Sequence, residues 1–176
     1  MIRYRELTSG EIDRPLFRDF IRRQVVTDCW RREGDRWVIR KDPFVDDWTE
    51  EDYGTLISCL RHTASSGGFV YAAFADGRLK GFASVEPELF GGEQKYLDLS
   101  SIHVSEDLRG RGTGTALFLA AREWARAHGA GKLYISAHSS VETQAFYRRM
   151  GCVEAQVYHP EHVAREPFDC QLECPL

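Results

Sequence analysis

Ser100-Ser-Ile-His-Val-Ser-Glu-Asp-Leu-Arg-Gly-Arg-Gly-Thr-Gly-Thr-Ala-Leu117 reads as a strand, a turn and a helix with no spacer between them. Gly110, Gly112 and Gly114 alternate through the turn and are flanked by Arg109 and Arg111. N–H groups in the first turn of a helix have no intrahelical partner and sit at the positive end of the helix dipole, so they can hold phosphate oxygens. Glycine lets the chain turn there and lets a bulky diphosphate approach, where a Cβ would hold it away. The stretch therefore predicts an anion cradle running from Arg109 through Gly110, Arg111, Gly112, Thr113 and Gly114 to Thr115.

Spacing separates the kinds of glycine-rich phosphate loop. A P-loop requires Gly-x-x-x-x-Gly-Lys followed by Ser or Thr, and no such pair follows these glycines. A dinucleotide fingerprint requires Gly-x-Gly-x-x-Gly, but counting from Gly110 and Gly112 puts Thr115 at the third position. What remains is Arg-x-x-Gly-x-Gly, carried by Arg109, Gly112 and Gly114. Downstream, Lys132 to His138 reads as a short buried strand, and Val141 to Met150 as a helix closed by Gly151. This second segment holds Ser140, Thr143, Phe146, Tyr147, Gly151 and Cys152. Together the two segments resemble the GNAT superfamily of N-acetyltransferases. In that family the acetyl-CoA diphosphate loop is Arg-x-x-Gly-x-Gly, and the later helix carries Asn-x-x-Ala-x-x-Phe-Tyr and ends in Gly-Phe. Phe146, Tyr147 and Gly151 match; Ser140, Thr143 and Cys152 depart. Ser140 keeps a hydrogen-bonding side chain where the family has Asn, so the resemblance makes it a weaker cofactor contact.

Composition bounds the remainder. A chain of 176 residues with 43% hydrophobic content has room for one core and little for two, so residues 1–176 are expected to form one domain. No linker, repeat or low-complexity tract divides it. The longest apolar run, Phe69 to Ala75, is too short to cross a bilayer, and the polar N-terminus lacks a signal-peptide core. The expectation is a cytoplasmic protein with no membrane partner. A net charge of −4 argues against a nucleic-acid surface. The five cysteines lack zinc-type pairing, and Cys170 and Cys174 lie about 13 Å apart at strand rise, too far to bridge. Reduced, buried thiols are expected.

Taken in order, Ile2 to Leu7 reads as an edge strand. Asp13 caps a helix with Pro15 in its first turn, and Leu16, Phe17, Phe20, Ile21 and Val25 recur at helical spacing. Cys29 to Trp48 is irregular and holds Trp30, Trp37, Phe44 and Trp48. Thr49 with Asp52 forms a capping box opening a second helix, with a stripe of Tyr53, Leu56, Ile57 and Leu60. Phe69 to Ala75 and Leu79 to Val85 are strands joined by Asp76-Gly77. From Lys95 the apolar positions run Leu97, Leu99, then Ile102, Val104; the change of parity at Ser100-Ser101 predicts a β-bulge. Val153 to Val157 and Phe168 to Cys174 alternate as two final strands. His159-Pro-Glu-His162 between them is read as a loop rather than a metal site, because Pro160 disfavours a helical pair and no third ligand is evident.

The resemblance covers essentially the whole chain. It implies a mixed α/β (α+β) GNAT fold: a mostly antiparallel sheet of about seven strands flanked by helices and splayed between its fourth and fifth strands. It implies acetyl-CoA as cofactor, with the pantetheine arm against the main chain of Ile102, His103 and Val104, and Phe146 and Tyr147 beside the thioester. The amine must arrive neutral, although a free ammonium titrates near ~10.4, and a thiolate of intrinsic pKa about 8.5 leaves more easily when protonated. The resemblance makes Tyr147 the general acid and Glu86 the best base, with Glu88, Asp98 and His138 as alternatives. It puts the segment with Trp30, Trp37 and Trp48 beside the acceptor pocket together with Glu86, while the same tryptophans also suit a core. The reaction implied is acetyl transfer to a primary amine of a small molecule in a ternary complex. A non-catalytic acyl-CoA sensor and a protein or peptide N-acetyltransferase stay open, as does a homodimer.

Overall fold

The computed structural model describes all residues, 1–176. In chain order the elements are β1 (Ile2–Glu6), β2 (Arg23–Glu33), β3 (Arg36–Asp47), α1 (Glu50–Ser65), β4 (Phe69–Ala75), β5 (Arg78–Val85), β6 (Tyr96–Val104), α2 (Thr113–Ala127), β7 (Lys132–Ala137), α3 (Val141–Arg149), β8 (Val153–Glu154), α4 (Pro160–Arg165) and β9 (Cys170–Pro175). Seven strands form one sheet in the order β1-β4-β5-β6-β7-β9-β8, and β2 and β3 form a separate hairpin. Only β6 and β7 run parallel. This is the mixed, mostly antiparallel sheet expected.

The local signals behind several elements are visible in their bonds. Asp76 and Gly77 both take positive φ, the requirement of a two-residue turn that matches strand twist. Thr49 accepts the Asp52 N–H while the Asp52 carboxylate accepts the Thr49 N–H at 2.8 Å, a reciprocal cap at the start of α1. Helices cover both faces of the sheet. Phe69, Ala73, Ala83, Val85, Leu97 and Leu99 pack with Leu117, Phe118, Ala121 and Ala125 of α2. Val70, Ala72, Leu79 and Phe82, on the opposite face, pack with Tyr53 and Leu60 of α1 and with Phe17 and Phe20.

Four expectations are corrected. The helix predicted after Asp13 is absent: two 3-10 turns, Ser9–Glu11 and Pro15–Phe17, lead into β2. Asp13 does cap, accepting the Leu16 N–H at 2.9 Å. However, Phe17 and Phe20 bury under α1 while Ile21 and Val25, on the same predicted stripe, stay about half exposed. Burying each phenylalanine is worth about 2 kcal/mol, which outweighs the weak helix propensity of so short a segment. The segment read as irregular is the long β2–β3 hairpin, turning at Gly34-Asp35. Pro160 opens α4 instead of preventing it, since at the first helical position its missing N–H costs nothing. Among the thiols, Cys59 is exposed; the other four are buried, and all five are free.

The predicted bulge is present. Ser84 pairs with Ser101 and Val85 with Leu99, leaving Ser100 as the extra residue. Beyond it the sheet splits: β6 pairs with β7 only through Tyr96, Leu97 and Asp98. These are the fourth and fifth strands counted by sequence within the seven-stranded sheet, where the splay is expected.

Candidate active site

The split opens onto a cavity of about 1000 Å³. One wall is main chain. Ser105 N–H donates to Lys80 O, so the neighbouring Val104–Gly81 pair and, two residues back, Ile102–Ala83 are non-hydrogen-bonded pairs with their amides and carbonyls turned away from β5. Those groups face the split. None of the N–H groups from Gly110 to Thr115 donates to a protein acceptor. Gly110 (φ +76°) and Gly112 (φ +82°) hold the left-handed conformation that aims these amides outward, and no protein atom lies within 4 Å of where a Cβ would stand at either. Thr113 Oγ1 is buried without a partner. Arg109 borders the cradle, its Nε donating to Val104 O at 3.2 Å, and burial lowers its pKa.

Phe146 and Tyr147 close the far side of the split from α3, Phe146 approaching within 3.5 Å of the Cβ position of Gly114. Tyr147 is 6% exposed, and its hydroxyl makes no protein hydrogen bond yet is not sealed from solvent, so it points into the cavity. Burial, seconded by Cys152 and Asp169, raises its pKa and keeps it protonated at neutral pH.

The rest of the lining is made largely of side chains. Gln24, Phe44, Asp46 and Trp48 come from the hairpin, together with Arg22 at its foot; His138 follows β7; Glu166 and Asp169 follow α4; Glu142 comes from α3. Arg22 donates to Asp46 at 2.7 Å, with its guanidinium 5.2 Å over the Trp48 ring; Trp48 meets His103 at 4.8 Å and Phe44 meets His138 at 5.4 Å. Burial, then Arg22, Arg109 and His138, holds the His103 pKa well below its usual value, and burial also lowers that of His138. Burial thereby favours the neutral form of both imidazoles. Burial raises Asp169 to about 6.

Of the residues singled out in the sequence, the cavity gathers Ile102, His103, Val104, Arg109, Gly110, Gly112, Thr113, Gly114, Thr115, Phe146, Tyr147 and Trp48. Five others lie elsewhere. Arg111 is exposed outside the lining. Ser140 is fully buried as the cap of α3, accepting the Thr143 N–H at 3.3 Å and donating to Thr143 Oγ1 at 2.8 Å. Trp30 and Trp37 line a separate small cavity with Cys152 and Cys170, and the Arg148 guanidinium stands over Trp30. Glu86 stands behind the lining, where Oε1 accepts from Thr63 at 2.7 Å and from Ser100 at 2.8 Å. Sequence reading had Asp46 among the acidic residues of the segment beside the acceptor pocket but missed Arg22, Gln24, Glu142, Glu166 and Asp169; the Gly34-Asp35 pair was the one local signal for the hairpin that carries Gln24 and Asp46.

The cavity thus sets a split parallel pair beside a row of unpartnered helix-start amides, with a buried tyrosine across the gap. The model of the Acetyltransferase (GNAT) family matches residues 35–152, and the chain belongs to that family of acetyltransferases. Solved structures share the fold. A nourseothricin acetyltransferase superposes with a TM-score of 0.71 at 22% identity, over 99% of this chain and 98% of the other. A Bacillus anthracis protein provisionally named streptothricin acetyltransferase, solved with acetyl coenzyme A, gives 0.73 at 15% identity over 100% and 99%. An aminoglycoside acetyltransferase from an uncultured soil metagenomic sample gives 0.58 at 21% identity over 90% and 95%. At these identities the likeness establishes the fold. No curated protein sequence matches the chain.

Proposed function

We propose that this acetyltransferase moves the acetyl group of acetyl-CoA to a primary amine of a small cationic molecule, with both substrates bound at once. The observation that carries the reading is that one cavity is lined both by the glycine turn with its open amides and by Glu142, Glu166 and Asp169 together with Phe44 and Trp48. Open space over Gly110 and Gly112 and the unpartnered Thr113 hydroxyl fit a diphosphate, and the edge of β6 left unpaired by β7 at Ile102 and the Val104 N–H fits an amide-bearing arm. Acetyl-CoA supplies an acyl group already activated as a thioester. The Val104 N–H, turned into the split, is placed to donate to the acyl oxygen as charge develops there. Tyr147 holds its proton at neutral pH and gives it to the departing sulfur. The carboxylates of the lining attract an ammonium, and the two aromatics cover its apolar body. The family neighbours named for nourseothricin, streptothricin and aminoglycosides support antibiotic amines as first acceptors. No helix is long and apolar enough to cross a membrane, and five free thiols suit a reducing cytoplasm.

The test is release of free coenzyme A from acetyl-CoA with a panel of streptothricins, aminoglycosides, polyamines, amino acids and a lysine peptide. Turnover with a small cationic amine supports the reading. Turnover confined to the peptide, or binding of acetyl-CoA with no acetylated product, contradicts it, the latter in favour of an acyl-CoA sensor.

A further inference from the structure

Four carboxylates line the cavity, and their surroundings differ. Asp46 is held by Arg22, and Glu142 and Glu166 lie exposed. Asp169 alone is both partly buried and tied to a directed chain of hydrogen bonds. The His159 N–H donates to the Tyr134 hydroxyl at 2.8 Å; Tyr134, fully buried, donates to Gln171 Oε1; Gln171 Nε2 donates to Ser136 Oγ at 3.0 Å; Ser136 Oγ donates to Asp169 Oδ2 at 2.9 Å. Every donor in the chain points toward the carboxylate, which fixes its rotamer. Its other oxygen, Oδ1, accepts from no protein donor and is not sealed from solvent. Asp169 lines the same cavity as Tyr147 and lies near enough to influence its titration.

We propose that Asp169 is the catalytic base, with Oδ1 accepting the proton that the acceptor ammonium must lose. This rests on the acetyl transfer argued above and replaces Glu86 in that role. The ammonium N–H bond breaks and the proton passes to Asp169 Oδ1, freeing the nitrogen lone pair. The N–C bond forms as the C–S bond breaks, and sulfur takes the Tyr147 proton. The surplus proton on the new amide nitrogen returns to Tyr147 through solvent in the cavity, so Asp169 ends the cycle holding the one proton released. The titratable groups around Asp169 are Glu166 and His162 from the α4 side, the neutral Tyr147 from α3 and Cys170 next to it at the start of β9. Burial raises its pKa to about 6; the Ser136 hydroxyl opposes that, Glu166 adds to it, and His162 opposes it. The higher pKa narrows the gap to an ammonium that titrates near ~10.4.

The experiment compares kcat/KM against pH for the wild type and Asp169→Asn with an amine the wild type acetylates, alongside acetyl-CoA affinity. The proposal expects a loss of roughly 100-fold or more at pH 7.5, disappearance of the acid limb near pH 6, unchanged acetyl-CoA affinity, and partial recovery in Asp169→Glu. Ser136→Ala gives a second readout that a packing role would not move: losing a donor to the charged form shifts the limb to higher pH. Asp169→Asn that keeps both rate and limb overturns the proposal, as does an unmoved limb in Ser136→Ala or Glu86→Gln losing the limb instead. A wild type that acetylates no amine overturns the transfer reading itself, which separates the two failures.

Discussion

The two walls of the cavity are made from different materials. On the wall proposed to hold the cofactor, Gly110 to Thr115 and the edge of β6 present backbone groups, and what matters is the φ each residue can adopt. On the wall proposed to receive the acceptor, the β2–β3 hairpin and the α4–β9 connection present side chains, and what matters is which residue stands there. A backbone-made wall breaks when its conformation is denied and tolerates exchange of the side chains that point away. A side-chain wall loses its contacts one residue at a time, and those losses read out on the amine alone.

Substitutions can break this contrast, beginning with the largest effect. Tyr147→Phe, which touches the chemistry between the walls, is expected to lower kcat by about 100-fold or more while leaving acetyl-CoA affinity intact, in a steady-state assay paired with calorimetry; an unchanged kcat would remove Tyr147 from the mechanism. Gly112→Val forces a β-branched residue to φ +82°, which costs on the order of 1–3 kcal/mol and should weaken acetyl-CoA binding by about 10-fold or more. Normal affinity in that variant would count against the amide cradle. Trp48→Ala should raise KM for the amine several-fold and leave acetyl-CoA affinity unaltered, whereas a larger rise in Trp30→Ala would reverse the assignment of the two tryptophans.

The smallest effect concerns the vertex where the sheet splits. His162 Nε2 lies 2.7 Å from Asp98 Oδ2, and that contact raises the His162 pKa against the opposing pull of burial. A raised folded-state value means stability that is present below the unfolded value of about 6.5 and is lost as pH rises through the folded value. The loss is expected to be on the order of 1 kcal/mol, seen as a falling denaturation midpoint above pH 6.5 in the wild type and absent in His162→Asn. An identical pH profile in both would show that the vertex does not depend on this pair.

The same contrast explains what was legible in the sequence. Backbone requirements leave local marks: the glycines of the cradle, Asp76-Gly77, the Thr49–Asp52 cap and the parity change at Ser100 each announced an element that is present. The acceptor wall left few. Within β2 the pairing slips between Val26 and Asp28, which breaks the two-residue period, and charged residues occupy much of both strands. The stripe from Leu16 to Val25 fits a helix by spacing alone, and only tertiary burial of Phe17 and Phe20 decides otherwise. Asp169 is marked by nothing nearby; its partner Ser136 is 33 residues away. Ser140 departs from the family's Asn at its position, and its hydroxyl is engaged with Thr143 as the cap of α3.

The most direct test is a titration with coenzyme A followed by amide NMR on the labelled protein. The account predicts large shifts at the amides of Gly110 to Thr115, Ile102 and Val104, with the β2–β3 hairpin little moved. Shifts concentrated in the hairpin, with the glycine turn silent, would contradict it.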